Sequence, residues 1–325
     1  MELKCAILGV ERKVGKIKQF GGFFMVHLVN EKLDQIFIDF KASLNTEDIC
    51  QLKDFNYKDD TIPDYSNKFI QKYYLLRYLA GYFAEYTYIY REILNQHFLD
   101  MDVEILSLGC GCGIDLLGAR EAAQEMNKGV KNSIYNIKTY NGIDRIFWDY
   151  QERFPDEMNA NYIELNIGAR DRIVYKDYNV VMFPKSIGEF TDDEFNHIVE
   201  LIKEAEFRKE RIALIGSMRK ARNDIDKERL ETILTTLVNY QNYEVKEVLK
   251  EPEDLRTKRI EHVVSNFVCP QNIKSFISNL ITQCKKICSG ERPCDMLCHR
   301  TLTNYPICTL SQATYETILL ERKGA

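Results

Sequence analysis

Between Val103 and about Lys250 the chain alternates short apolar runs with segments of helical period, and few folds accommodate that order. The apolar runs fall at 103–108, 138–143, 161–165, 178–183, 211–216 and about 243–249, with periodic segments at 115–126, 192–206 and 226–239 among them. Strand, helix, strand repeated in this way implies right-handed crossovers, which set the strands parallel and lay helices on both faces. One more strand is expected at Thr314–Glu321, "TYETILLE". The pattern therefore predicts an α/β fold built on a seven-stranded, mostly parallel sheet.

The flanks read differently. "CAILGV", "FFMVHLV" and "QIFIDF" in the first 50 residues are β-rich and broken by turn-like pieces, Gly21-Gly22 among them. From Ser66 to Phe98, apolar and aromatic residues recur at three- and four-residue spacing (Phe69, Tyr73, Tyr74, Leu76, Leu79, Tyr82, Phe83, Tyr86, Tyr90), which predicts one or two helices. The tyrosine stripe is assigned to core and rim packing, with a substrate pocket as the alternative. Residues 1–100 are thus expected to form a β-rich and helical extension, and 101–325 the main domain. An insertion at about 251–310, with a helix near 271–286 and most of the cysteines, precedes the last strand.

Composition excludes several classes. With 45% apolar and 29% charged residues the chain is a soluble globular type, and its net charge of −5 lacks the footprint of an indiscriminate nucleic-acid binder. No run approaches the roughly 20 apolar residues that cross a bilayer. "MELKCAILGVERKVGK" lacks the pattern of an export signal, so a cytoplasmic location is expected, with the ten cysteines as reduced thiols or metal ligands.

"LSLGCGCGID", residues 106–115, places Gly109, Gly111 and Gly113 where the first strand of the alternating region meets its helix. That is the carboxyl edge of the sheet, where open α/β folds bind ligands, and glycine lets the backbone turn sharply beneath one. The spacing G-x-G-x-G differs from the dinucleotide fingerprint G-x-G-x-x-G, and the phosphate-gripping lysine of a P-loop is absent. Asp115 at the helix start would repel a pyrophosphate, whereas a cofactor with an ammonium and a sulfonium tolerates it. Cys110 and Cys112 fit there as small buried thiols.

With these residues in place, 103–250 resembles the class I, Rossmann-like, S-adenosylmethionine-dependent methyltransferases. "ILSLGCGCGIDLLGA" is similar to the family's first motif. The resemblance implies that Gly109, Cys110, Gly111 and Gly113 lie beside the methionine and ribose of the cofactor. "YNGIDRIFW" is similar to the second, implying that Asp144 takes the ribose hydroxyls and leaves Arg145 and Ile146 beside the adenine. "YIELNIGARD" fits the third through Asn166, and "YNVVMFPKSIGEF" the fourth, with Phe183 near the cofactor and the strand end facing the transferred methyl. Two positions depart from the family: Ser107 replaces an acid before the first glycine, which draws Asp115 in as a substitute carboxylate, and Asn179 replaces the acid opening the fourth strand.

Beyond Phe183-Pro184, the candidates for catalysis are Lys185, Ser186 and Glu189. Glu189 would take a proton from a nitrogen or hydroxyl acceptor; the alternative is that Glu189 or Thr191 caps the helix starting near Asp192. His197 on that helix is assigned a structural role. The basic segment 208–229, with Arg219, Lys220 and Arg222, favours RNA as the methyl acceptor, with a small molecule or a protein as alternatives, although a solvated loop interleaved with Asp224, Asp226 and Glu228 is the plainer explanation of those charges. A non-catalytic, cofactor-binding regulator of the same fold remains open. Cys284, Cys288, Cys294 and Cys298 are spaced for either a structural zinc site or free thiols packed under the insertion.

Overall fold

The computed structural model describes residues 24–44, 49–55, 62–128, 135–151, 159–164, 173, 175–219, 223–250, 270–280, 282 and 314–324. Seven strands form one sheet: β1 (Asp102–Leu108), β2 (Asn136–Asp144), β3 (Asn159–Glu164), β4 (Val180–Pro184), β5 (Arg211–Met218), β6 (Tyr243–Lys250) and β7 (Thr314–Arg322). Their order across the sheet is β3-β2-β1-β4-β5-β7-β6. All pairings are parallel except those of β7, which runs antiparallel to both β5 and β6. The architecture is the Rossmann-like α/β sheet expected above.

The strands are nearly continuous apolar runs because both faces are covered. Val103 and Ile105 of β1, Val180 and Met182 of β4, and Ala213 and Ile215 of β5 point into one core. Their alternates Leu106, Leu108, Val181, Phe183, Ile212 and Leu214 point into the other. The first core is roofed by α1 (Phe24–Ser43), α2 (Lys68–Asn95), α3 (Ile114–Met126) and α6 (Gln271–Ser278). The second is roofed by α4 (Asp192–Glu204) and α5 (Asn223–Tyr240). Gly118 of α3 faces Tyr86 and Thr87 of α2, where an added Cβ would meet the Tyr86 Cβ at 2.6 Å, so the two helices approach backbone to backbone.

The N-terminal region departs from expectation. "FFMVHLV" and "QIFIDF" do not form strands: residues 24–43 make the single helix α1. Their Val29, Leu33, Ile36, Phe37 and Phe40 are all buried, at the spacing of one helical face. Phe40 stacks on Phe69 with ring centres 5.1 Å apart. β-branched and aromatic residues fill that face because it meets α2, so tertiary burial overrides their strand preference. "CAILGV" lies outside the described residues, as does most of the insertion, including Cys284, Cys288, Cys294 and Cys298.

Candidate functional site

Chain order reverses between β1 and β4, and their carboxyl ends open a crevice at that switch point. A cleft with about 820 Å³ of open space lies there. Gly109, Gly111, Asp144 and Arg145 line one end, and Lys185, Ser186, Glu189 and Arg219 the other. Tyr65, Tyr74, Tyr82 and Trp148 form the wall contributed by α2, its lead-in and the segment after β2.

The loop after β1 is shaped by its glycines. Gly109, Gly111 and Gly113 have φ of +71°, +57° and +80°, a region side chains rarely adopt. At Gly109 a Cβ would run into the Ser186 Cβ, and at Gly113 into the Tyr162 hydroxyl. Gly111 differs: a Cβ there would meet only the Trp148 ring, at 3.7 Å. The Gly109 N–H donates to the Ile143 carbonyl at 2.7 Å, tying the loop to the end of β2. The Gly111 N–H donates to Asp144 Oδ2 at 2.8 Å, and the Ile146 N–H to Oδ1 at 3.0 Å. Glycine loop and strand-end carboxylate therefore adjoin at the rim of the cleft. Burial raises the Asp144 carboxyl above its ordinary range, partly offset by these two N–H groups and by Arg145.

Beneath the loop lies a buried polar group. Asp115, wholly buried at the start of α3, accepts a hydrogen bond from the Tyr140 hydroxyl at 2.9 Å. Desolvation pushes its carboxyl up to about 6, against the opposing effect of the Ser107 and Tyr140 hydroxyls. Burial, with Asp144 and Asp115 nearby, drives the Cys110 thiol well upward.

Several of the residues singled out as cofactor contacts do not line the cleft. Ser107 and Asp115 are buried beneath the loop, and Cys110 and Gly113 are loop residues off the cleft's lining. Phe183 points into the core beneath α4 and α5, since strand alternation turns it away from the cleft; Pro184 and Lys185 line it instead. Asn166 lies outside the described residues. Arg145 is exposed at the rim, 3.9 Å from Glu194.

At the far end, Lys185 has φ of +59°, uncommon for a residue with a side chain. Its N–H donates to the Ser217 carbonyl at 3.0 Å, and its Nζ bonds Glu85 Oε1 at 2.7 Å and the Met218 carbonyl at 3.2 Å. Ser217 Oγ donates to the same Glu85 oxygen at 2.5 Å. Ser186 Oγ donates to the Leu108 carbonyl, so its hydroxyl braces β1. Glu189 is not the helix cap: Thr191 and Glu194 form the capping box of α4, and Glu189 pairs with Arg219 at 2.5 Å.

The basic 208–229 segment does not make one face among the described residues. Lys209 and Arg211 precede or begin β5 and pair with Asp100 and Glu321 at the opposite edge from the cleft. Arg219 ends β5 inside the cleft, and Arg229 is held by Asp192 at 2.7 Å. Lys220 and Arg222 lie outside the described residues. The tyrosine stripe serves both assignments: Tyr73, Phe83, Tyr86 and Tyr90 are core, while Tyr74 and Tyr82 face the cleft. Glu85 and Trp148 were not singled out by sequence; nothing in local pattern marks a helix glutamate whose partners lie about 100 residues on.

No protein-family model and no curated protein matches the chain. Solved structures of similar shape include the plantazolicin methyltransferase BpumL with S-adenosylhomocysteine: 13% identity, 91% of this chain and 100% of that one covered, TM-score 0.37. A loganic acid methyltransferase with S-adenosylhomocysteine has 10% identity, 76% and 94% coverage and TM-score 0.37. The magnesium protoporphyrin IX methyltransferase of Synechocystis PCC 6803, with bound S-adenosylmethionine, has 9% identity, 92% and 97% coverage and TM-score 0.35. At such scores these likenesses carry no weight beside the chain's own geometry.

Proposed function

We propose that the chain is an S-adenosylmethionine-dependent methyltransferase acting on a small-molecule acceptor. The observation that carries this reading is the 2.8 Å hydrogen bond from the Gly111 N–H to Asp144. It joins a side-chain-free loop to a carboxylate on the neighbouring strand end, at the mouth of a cleft on the sheet's carboxyl edge. The residues fit the cofactor: the positive-φ glycines bring backbone close, and Asp144 keeps lone pairs for two hydroxyls while its charge suits a cationic ligand.

When bound, the cofactor supplies a methyl already activated on a sulfonium, so the chain has mainly to align an acceptor and keep water out. Gly109, Gly111, Asp144 and Arg145 hold the nucleoside end in this reading. Tyr74, Tyr82 and Trp148 wall off solvent, and Lys185 and Arg219 face the acceptor. A small molecule is favoured over RNA because Lys209, Arg211, Arg219 and Arg229 of the basic 208–229 segment are split between opposite edges of the sheet and held in ion pairs.

Calorimetry tests the cofactor assignment. S-adenosylhomocysteine should bind the intact chain and NADH should not. Asp144→Ala should weaken the former by about 10- to 100-fold, the worth of one or two hydrogen bonds to a charged group. Binding of NADH alone would overturn the reading.

A further inference from the structure

We infer that the acceptor is a small planar molecule bearing a carboxylate, which Lys185 receives beside the wall of Tyr74, Tyr82 and Trp148. The inference rests on the methyltransferase reading and names the substrate class of the same site.

The first argument is that the carboxylates lining the cleft, and the one behind Lys185, already hold donors of their own. Asp144 accepts two backbone N–H groups, and Glu189 is ion-paired with Arg219 at 2.5 Å. Glu194 accepts the Thr191 N–H at 2.8 Å in its capping box, and Glu85 holds both Lys185 and Ser217. A nucleophile that must shed a proton would compete with these donors for a base. A carboxylate arrives without that proton. Its oxygen lone pair forms the new O–C bond as the C–S bond breaks, the bonding pair leaves with sulfur, and no proton is released.

The second argument is Lys185 itself. Its side chain is 11% exposed, and the ammonium donates one N–H to Glu85 and one to the Met218 carbonyl. The ammonium also lies over the Tyr82 ring, 5.1 Å from its centre, at the lining of the cleft, where an anionic oxygen would take a charge-assisted bond from it. Glu85, 6% exposed, lies behind the ammonium and fixes it in place. The Lys185 backbone at φ of +59° is clamped by the Ser217 carbonyl, so this donor is positioned and not left to wander.

The third argument is the wall. Tyr74 lies 5.4 Å from Trp148 and 6.3 Å from Tyr82, ring centre to ring centre, with ring planes tilted by 56° and 62°, an aromatic corner against which an apolar ring packs.

Trp148 is the chain's one tryptophan and lines the cleft, so its fluorescence reports occupancy directly. The intact protein, with S-adenosylhomocysteine present, is titrated with benzoate, benzamide and benzylammonium. Benzoate is expected to give a saturable change, with the other two weaker by about tenfold or more, the loss of one charge-assisted hydrogen bond. Lys185→Gln should level benzoate with benzamide, and Lys185→Arg should retain the preference. A benzamide or benzylammonium affinity equal to that of benzoate, no saturable response to benzoate, or an unchanged preference in Lys185→Gln would each overturn the inference. Calorimetry with S-adenosylhomocysteine on the same samples separates the two readings. Cofactor binding without carboxylate preference sinks this inference alone, and carboxylate preference without cofactor binding sinks the methyl-transfer reading alone.

Discussion

At the scale of single residues, the three loop glycines are not equivalent, although the sequence presents them as one repeating pattern. Gly109 and Gly113 combine left-handed backbone with no room for a side chain, whereas Gly111 has the backbone strain but faces the ring of Trp148 at contact distance. Gly109→Ala should therefore lose about 1–2 kcal/mol to backbone strain and more to the clash with Ser186. Gly111→Ala should lose the strain alone. Urea denaturation of the two variants gives the order; equal losses would show that the Ser186 side of the loop yields. Asp144 and the glycines were legible because turn chemistry and strand-end position are local properties. The side-chain directions of Asp115 and Phe183 were not legible because they depend on how α3 and β4 seat against the sheet.

At the scale of elements, α3 carries an unusual cost. Glu121 is fully buried on this helix, neither of its carboxylate oxygens has a hydrogen-bond partner among the described residues, and desolvation raises its carboxyl to about 7. The folded chain thus holds a proton that the unfolded chain releases near its ordinary value of 4.5. Stability from this group is complete below about 4.5 and is lost as pH rises from there through about 7, by on the order of 3 kcal/mol. Glu121→Gln should remove that decline. Melting temperatures measured from pH 4.5 to 8 for both proteins check it, and parallel curves would show that Glu121 finds a partner. Elements α2 to α5 followed from hydrophobic period and caps, Thr191 with Glu194 being visible as "TDDE". By contrast, α1 was misread because Val29, Ile36, Phe37 and Phe40 are residues that strands also favour, and only their seat on α2 selects helix.

Across the whole molecule, the elements flanking the alternating region belong to its first core. Phe40 of α1 stacks on Phe69 of α2 and meets Phe276 of α6 edge-on at 6.4 Å, so residues from the N-terminal extension and the insertion share one contact. The same α2 carries Tyr74 and Tyr82 to the cleft and Glu85 to Lys185. Phe40→Ala should cost about 3–5 kcal/mol. Because α2 links that core to the cleft, Trp148 fluorescence and far-ultraviolet circular dichroism should shift together on denaturation. A fluorescence transition left at its original midpoint would mean that the roof and the cleft unfold separately.

The sequence by itself determined the sheet, the position of the glycine loop and the acid beside it, since these follow from period, turn chemistry and the rule that ligands sit at strand ends. Only the tertiary structure decided which residues face the cleft. Glu85 reaches Lys185, Arg219 reaches Glu189, and the tyrosines divide between core and wall, because helix rotation and strand alternation bring together side chains that are far apart along the chain. A pattern confined to neighbours along the chain carries no record of such pairings.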